Sequence, residues 1–327
     1  MNGTIGSALC RLFSEDALMR DYNGYLSVKQ GETLLFEGGF GYADVQNDVR
    51  ATGDTIYLIG SMTKPITATC ILMLENQGLL SLDDTITSYF PDYSAVERVT
   101  VRHLLTQTSG LPDYWNRVGI SSIDYTDANA IFDFIKTFEL VCKPGEAFQY
   151  CNSNYLVLGM LIEKITGETY LEYARAHLFD PLEMHRTGVI PEHHACDNVA
   201  VGYMRMKPDV KRAALPENTV IMGNMHGAGC IYTCANDLMK FDAALNNNRL
   251  LPEPKKLEMW KRHTHGYGYG WFVTDHAVWH GGDCCGFSSR YTKYLRENIT
   301  VVALNNVDGK RESHMGHYSQ RIEACIL

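Results

Sequence analysis

The sequence predicts an α+β fold in which one antiparallel sheet is combined with a mostly helical region. Residues 24–41 show the pattern of a β-hairpin, and strand-like patterns return after residue 265. From residue 66 to about 250 the hydrophobic spacing is mostly helical. We therefore expect the two ends of the chain to meet in one sheet that terminal helices cover. A functional site is expected in the cleft between this sheet and the helical region.

The elements are predicted in chain order from local patterns. A helix is expected over 10–20, followed by the hairpin, whose turn lies at 29–32. The next helix covers 66–80 with Gly78 as its stop signal, and residues 81–84 carry capping residues that predict the start of another. Further helices are predicted over 101–105, 127–138, 155–165, 169–178, 235–245 and 311–325, and strands over 267–273, 277–280, 287–295 and 299–304.

We interpret the chain as a single domain, 1–327, with two lobes. The sheet lobe is expected to contain about 1–65 and 265–327, and the helical lobe about 66–264. Residues 185–225 contain three prolines and are expected to be irregular. No internal repeat or linker interrupts this organisation.

Composition and charge limit the possible partners. The chain has 327 residues, of which 45% are hydrophobic and 20% charged, as in a globular protein with a substantial core. Its formal net charge is -9, and no run of basic residues favours a nucleic acid or an anionic membrane surface as a partner. No apolar stretch reaches the length of a membrane span. The oligomeric state is not predicted.

The cysteines and the first residues suggest a reducing compartment. Ten cysteines are present, but their spacing shows no disulfide framework. Cys284 and Cys285 are neighbours, and a disulfide between neighbours is strained. Residues 1–11 lack the basic start and the apolar run of a secretory signal. We therefore expect thiols and a cytoplasmic location.

Ser61 and Lys64 form the first candidate for a catalytic pair. They lie three residues apart in Gly60-Ser61-Met62-Thr63-Lys64, where the helical pattern begins. Residues at this spacing share one helix face, so the amine can lie beside the hydroxyl and take its proton. Because Ser-x-x-Lys is a short motif that is frequent by chance, it needs support from other parts of the chain.

Three further stretches supply that support. They are residues 144–155, which contain Tyr150-Cys151-Asn152, residues 229–238, and residues 279–289, which contain His280-Gly281-Gly282. In their order and spacing, these stretches and the Ser61 motif resemble the serine β-lactamase-like superfamily. The resemblance is strongest to the branch of class C β-lactamases, D-alanyl-D-alanine carboxypeptidases, penicillin-binding proteins and related esterases. It covers nearly the whole chain and implies a β-lactamase/transpeptidase-like fold.

The resemblance implies roles for three catalytic residues. Ser61 would be the nucleophile that forms an acyl-enzyme, and Lys64 would keep the site positive and help to take the serine proton. Tyr150 would act as the general base and return the proton to the leaving group. The charge of Lys64 is expected to lower the pKa of the Tyr150 phenol.

Further residues are expected to bind the substrate. Asn152 would donate to the acyl-side carbonyl, and His280, Gly281 and Gly282 would lie on the edge strand that faces Ser61. The backbone N–H groups of Ser61 and Asp283 would form the oxyanion hole. His280 stands where many family members carry lysine, and histidine is only partly charged near neutral pH. We therefore expect weaker recognition of a substrate carboxylate. Residues 112–115 either line the cleft with aromatic surface or pack ordinarily.

The sequence thus favours a serine hydrolase that cleaves an ester or an amide. The expected substrate is a small molecule or peptide, with an ester or a D-amino-acid peptide favoured over efficient hydrolysis of a β-lactam. No cofactor and no metal are expected, because the histidines have no matching ligand set. An α/β-hydrolase fold is disfavoured because the chain has no Gly-x-Ser-x-Gly elbow. The alternative is a penicillin-binding sensor that is acylated without turnover, or a binding protein on the same fold.

Overall fold

The computed structural model describes residues 2–16, 19, 22–116, 127–189, 198–206, 209–212, 225–308 and 314–327. Its helices are α1 (Asn2–Glu15), α2 (Thr63–Asn76), α3 (Val101–Leu105), α4 (Ala128–Lys136), α5 (Asn152–Thr166), α6 (Tyr170–Ala174), α7 (Ala235–Asn246), α8 (Glu253–Met259) and α9 (His314–Ile326). Its strands are β1 (Gly24–Gln30), β2 (Thr33–Phe40), β3 (Tyr42–Asp44), β4 (Val49–Arg50), β5 (Tyr57–Leu58), β6 (Gly188–Val189), β7 (Tyr203–Met206), β8 (Asp209–Arg212), β9 (Ile231–Thr233), β10 (Phe272–Val273), β11 (Ala277–Cys284), β12 (Phe287–Tyr294), β13 (Ile299–Asn305) and β14 (Val307–Asp308). None of the described helices combines the length and the apolar character that a membrane span needs.

A six-stranded antiparallel sheet lies at the centre, in the order β10-β11-β12-β13-β1-β2. The first and last parts of the chain meet in this sheet, because β1 pairs with β13 from Gly24 opposite Asn305 to Gln30 opposite Ile299. The predicted α+β class with a sheet built from both ends of the chain is confirmed. The proposed lobe boundaries near 65 and 265 stay a prediction.

The two faces of the sheet are covered differently. On one face, α1 and α9 contact each other and the sheet, and they bury Leu9, Phe13 and Tyr318 in a compact apolar cluster. On the other face, α7 contacts β13 and β1, and a much larger core extends into the helical part of the chain. Burial of apolar side chains on both faces explains why nearly every residue of β13 is inaccessible to water.

Helices α2 and α5 form the centre of the helical part and pack against each other. Both carry apolar side chains around most of their circumference, as expected of helices buried on all sides. Helix α5 ends at Gly167, whose left-handed backbone closes the last turn. The two helices supply residues 64 and 152 to the candidate site, so the rigidity of this packing positions both side chains.

Several sequence predictions need correction. The first helix covers Asn2–Glu15 and not 10–20. No α-helix begins at 81–84, because Asp84 accepts from the Ser81 backbone and closes a turn there. The predicted strand 267–273 is reduced to Phe272–Val273, and helix α8 was not predicted. Part of the expected irregular region, 190–197 and 213–224, lies outside the described residues.

Candidate active site

Ser61 lies in a 3-10 turn, Gly60–Met62, that connects β5 to α2. Gly60 has a φ of 50°, a left-handed conformation that glycine adopts without strain. The turn therefore presents the Ser61 side chain, which is partly exposed, at the N-terminal end of a buried helix. The backbone N–H groups at such a helix end attract negative charge.

Lys64 is completely buried directly behind Ser61. Its Nζ lies 3.0 Å from Ser61 Oγ, 2.9 Å from Asn152 Oδ1 and 2.8 Å from the Ala228 carbonyl oxygen. Loss of water around the amine lowers the pKa of Lys64 to about 7, although Asp113 acts in the opposite direction. The amine is therefore neutral in a large fraction of molecules near neutral pH. A pKa near 7 leaves both the charged and the neutral amine populated, so the expectation that Lys64 keeps the site positive and helps to take the serine proton stays a prediction.

The partners of Lys64 determine which way its protons point. Asn152 Nδ2 donates to Asp113 Oδ2 at 3.0 Å, and this contact fixes Asn152 Oδ1 toward Lys64. Asn152 Oδ1 and the Ala228 carbonyl can only accept, so the two N–H groups of a neutral amine are both occupied by them. The remaining lone pair of Nζ then faces Ser61 Oγ and can accept the hydroxyl proton.

Tyr150 lies near both Ser61 and Lys64, and Lys64 Nζ is 4.9 Å from the centroid of its ring. Its hydroxyl is buried and forms no hydrogen bond of ordinary geometry, although Ser61 is near enough to favour its ionisation slightly. Burial dominates and raises the pKa of Tyr150 above its ordinary value. The predicted lowering of this pKa is therefore wrong, and the phenol keeps its proton near neutral pH.

His280 lies on β11 as predicted, but its ring is buried and neutral. Nδ1 lies 2.7 Å from the Gly281 carbonyl oxygen and must donate to it, so Nε2 accepts from the Tyr267 hydroxyl at 3.2 Å. Burial and the charge of Lys64 lower the pKa of His280 to about 3. The ring packs against Phe272, with centroids 5.3 Å apart. His280 therefore contributes no positive charge to the site.

The end of β11 passes very close to the Ser61 turn. A Cβ on Gly282 would lie 1.9 Å from the Ile59 carbonyl oxygen and 2.8 Å from Ser61 N, so only glycine fits. Strand β10 pairs with residues 278 and 279 alone, so residues 280–284 run beside the turn and are not covered by β10. The next residue along β11 is Asp283, and its backbone N lies 3.5 Å from the place where a Cβ on Gly60 would be. The predicted pair of oxyanion donors thus comes from two segments in direct contact.

A cavity of about 370 Å³ opens at this place. Its walls contain Ser61, Tyr150, Phe272, Trp279, His280, Gly281, Gly282, Asp283, Ser289, Arg290, Met315 and Gly316. The structure thus brings the predicted residues of the 61, 150 and 280–283 segments to one cavity, whereas Lys64 and Asn152 are not among the residues that line it. This volume suits a small substrate or one end of a larger one.

The sequence analysis missed three contributors to the site. Asp113 orients Asn152, the Ala228 carbonyl binds Lys64, and Arg290 adds a cation whose guanidinium carbon lies 3.7 Å from the Trp279 ring centroid. A backbone carbonyl leaves no signal in a sequence. Arg290 had a weak sequence signal, because a hairpin of the two predicted strands would place it opposite Gly281, as the structure does.

No group of His, Cys, Asp and Glu side chains in the described part of the chain is arranged to hold a metal ion. A partly exposed serine in contact with a buried lysine three residues later, next to a strand with two adjacent glycines, matches the Ser-x-x-Lys arrangement of the serine β-lactamase-like superfamily.

Comparison with known proteins identifies the family. The model of the Beta-lactamase family matches residues 16–325, and the chain belongs to this family. A curated relative, penicillin-binding protein 4* from Bacillus subtilis (strain 168), is 28% identical over 329 residues, which cover 92% of this chain and 72% of the relative.

Solved structures show the same fold. The D-amino acid amidase from Ochrobactrum anthropi SV3, complexed with D-phenylalanine, is similar with a TM-score of 0.83 and 25% identity, and the match covers 99% of this chain and 98% of that one. EstCE1, a hydrolase with promiscuous acyltransferase activity, has a TM-score of 0.84 at 18% identity, with 99% of both chains covered. The latter likeness concerns the fold alone. The β-lactamase/transpeptidase-like fold is thus confirmed.

Proposed function

We propose that this protein is a serine hydrolase that cleaves small esters or amides through an acyl-enzyme on Ser61. The observation that carries the proposal is the buried Lys64 amine, 3.0 Å from Ser61 Oγ, with both of its N–H groups directed elsewhere. A serine hydroxyl becomes a strong nucleophile only when a neighbouring group removes its proton. The neutral fraction of Lys64 supplies that group.

In the proposed first step, Ser61 Oγ attacks the substrate carbonyl carbon while Lys64 Nζ takes the hydroxyl proton. The N–H groups of Ser61 and Asp283 would stabilise the negative oxygen of the tetrahedral intermediate. The Lys64 ammonium then returns a proton to the leaving group, with the buried Tyr150 hydroxyl as the relay between them. Water would release the acyl group by the same steps in reverse.

Tyr150 has a different role here from the one expected from sequence. Since burial raises its pKa, the phenol is a hydrogen-bond donor and not a free phenolate at neutral pH. Its hydroxyl has no hydrogen-bond partner of ordinary geometry among the described residues, so it can donate a hydrogen bond to the leaving-group atom of a substrate.

The walls of the cavity support a ranking of substrates. Phe272 stacks on Trp279 with ring centroids 4.4 Å apart, and the two rings offer apolar surface to an acyl or side-chain group. The neutral His280 provides no charge for a β-lactam carboxylate at the position where many relatives carry lysine. We therefore place short esters and D-amino-acid amides or peptides before β-lactams, in agreement with the amidase named above.

Covalent labelling tests the mechanism. Intact-protein mass spectrometry after incubation with a fluorophosphonate or with a penicillin should show one adduct on the wild type, and Ser61→Ala should abolish it. Rates on a nitrophenyl ester, a D-amino-acid amide and a chromogenic cephalosporin then rank the substrates, with the cephalosporin expected to be the slowest.

Each result of this experiment has a clear meaning. Equal labelling of Ser61→Ala, or no labelling of the wild type, would refute acyl transfer through Ser61. A stable penicillin adduct without hydrolysis of any substrate would instead identify a sensor that is acylated but does not turn over. Efficient cephalosporin hydrolysis would overturn the ranking and leave the nucleophile unchanged.

A further inference from the structure

We propose that Cys284 and Cys285 form a redox-active dithiol that closes to a vicinal disulfide and thereby lowers activity at the adjacent site. Both cysteines are partly exposed thiols, and their Sγ atoms lie 3.3 Å apart. A disulfide needs a separation of about 2.05 Å, so the two sulfurs must approach by only about 1.2 Å. The dithiol itself does not depend on the proposed hydrolase activity, whereas its effect on activity does.

The backbone at this pair is unusual and explains why the sulfurs meet. Cys284 pairs with Phe287, and the two residues between them have positive φ angles, 50° for Cys285 and 86° for Gly286. This is the geometry of a type I′ hairpin turn, in which Asn and Gly are the preferred central residues. A cysteine in left-handed conformation is uncommon, and an uncommon conformation of this kind is often kept for a functional reason.

The turn is also in direct contact with the candidate active site. Cys284 follows Asp283, and its Cβ lies 3.5 Å from the point where a side chain on Gly60 would begin. On the other side, a Cβ on Gly202 would lie only 2.3 Å from the Cys285 carbonyl oxygen. Because the turn is held between these two backbones, a change in its shape is transmitted to residues 60 and 283.

The chemistry requires a two-electron oxidant of the peroxide class. One cysteine thiol loses its proton, the thiolate attacks a peroxide oxygen and the O–O bond breaks, which gives a sulfenic acid and a hydroxide that takes up the released proton to form one water. The second sulfur attacks the sulfenic sulfur, the S–S bond forms, and the hydroxyl leaves as a second water. In total, the two thiols lose two hydrogens and hydrogen peroxide is reduced to two waters.

The resulting disulfide should be easy to reduce. Neighbouring Cα atoms are about 3.8 Å apart, below the range of about 4.4–6.8 Å that an unstrained disulfide spans. Strained and exposed disulfides have higher reduction potentials and are the labile ones. A thiol reductant should therefore restore the dithiol, which is the behaviour required of a reversible switch.

The sequence offers a direct assay. A tryptic peptide covering 263–290 contains Cys284 and Cys285 and no other cysteine. After treatment of the full chain with hydrogen peroxide and blocking of thiols, this peptide should be lighter by about 2 Da than its reduced, unalkylated form and should carry no blocking group. Ester hydrolysis or fluorophosphonate labelling should fall by about tenfold or more, and dithiothreitol should restore both readouts.

Three variants provide the controls. Cys285→Asn places the preferred residue in the type I′ turn, so it should fold, remain active and resist peroxide. Cys284→Ser should likewise show no intramolecular disulfide, and it provides a second test if the first variant is unstable. Cys10→Ser removes an exposed thiol on α1, outside the turn, and should respond to peroxide like the wild type.

The possible outcomes separate the two claims. A peptide that gains oxygen without losing two hydrogens would refute closure of the two thiols to a disulfide. A Cys285→Asn variant that peroxide inactivates as strongly as the wild type would refute it as well. Disulfide formation with unchanged activity would overturn the switch. If the reduced wild type neither hydrolyses nor is labelled, the proposed function fails, yet the peptide mass still decides whether the dithiol closes.

Discussion

At the scale of single residues, the state of Lys64 should determine how activity depends on pH. Its pKa of about 7 in the folded protein means that the amine is protonated below this value and neutral above it. Since only the neutral amine can accept the Ser61 proton, kcat/KM should rise with pH through an inflection near 7 and then reach a plateau. A steady-state pH profile with an ester substrate measures this directly.

Asp113 provides the matched variant for this prediction. Its carboxyl group favours the charged form of Lys64, so Asp113→Asn should move the inflection to lower pH, and the amide oxygen at this position can still accept from Asn152 Nδ2 in place of the carboxylate. Asp92→Asn, which alters an exposed pair with Lys136, should leave the profile unchanged. An inflection far above neutral pH in the wild type would instead identify the Tyr150 phenolate as the base, because burial raises its pKa.

The residues of the site differ in how well the sequence predicted them. Ser61 and Lys64 are brought together by local helix geometry, which their spacing predicts, whereas their role as a catalytic pair needed the support of the distant motifs. The charges of Lys64, Tyr150 and His280 were not predictable, because they depend on how much water the folded chain removes from each group. Burial is a tertiary property, and no short motif contains it.

At the scale of elements, the close approach of β11 to the Ser61 turn is the contact that can be tested most sharply. An alanine Cβ at 282 would lie 1.9 Å from the Ile59 carbonyl oxygen, a backbone atom that cannot move aside without displacing the turn. Gly282→Ala should therefore separate β11 from residues 60–62 and reduce kcat/KM by about 100-fold or more, through loss of oxyanion stabilisation.

The neighbouring glycine serves as the comparison. A Cβ on Gly281 would meet only the Ser289 carbonyl oxygen at 3.4 Å, so Gly281→Ala should fold and lose much less activity. Circular dichroism and thermal unfolding of both variants would distinguish a displaced strand from global unfolding. If Gly282→Ala were as active as Gly281→Ala, the proposed oxyanion hole would be wrong.

The elements themselves show where local patterns are sufficient. The hairpin of β1 and β2 was predicted within one residue, because strand alternation and turn residues are both local signals. The helix expected at 81–84 is absent, because the same polar residues that cap helices also close isolated turns. Whether a cap is followed by a helix depends on the packing of the next residues, which the capping motif does not specify.

At the scale of the whole molecule, Asn306 connects segments that are distant in sequence. Its side chain is completely buried, and its Nδ2 faces the carbonyl oxygens of Tyr42, Ala43 and Val201 at 3.1, 3.0 and 2.8 Å. Its Oδ1 accepts from Asn23 Nδ2 at 2.6 Å. One amide thus joins the start of the hairpin, the segment after it, a segment near 201 and the end of β13.

Removal of this amide should destabilise the entire fold. Asn306→Ala would remove one donor from each of three buried carbonyl oxygens, of which those of Tyr42 and Ala43 keep a second donor, and it would create a small cavity, so the free energy of unfolding should fall by about 1–3 kcal/mol. Asn306→Asp should be at least as damaging, because a carboxylate oxygen would then face three carbonyl oxygens. Urea unfolding followed by tryptophan fluorescence measures both effects.

An exposed asparagine tests whether the effect is specific to this buried position. Asn47 lies on the surface and its side chain bonds to the nearby Asp44, so Asn47→Ala should change the free energy of unfolding by less than about 0.5 kcal/mol. A loss of similar size in Asn47→Ala and Asn306→Ala would show that the amide network contributes nothing special. A selective loss in the buried variants would show that segments about 280 residues apart in sequence unfold together through one side chain.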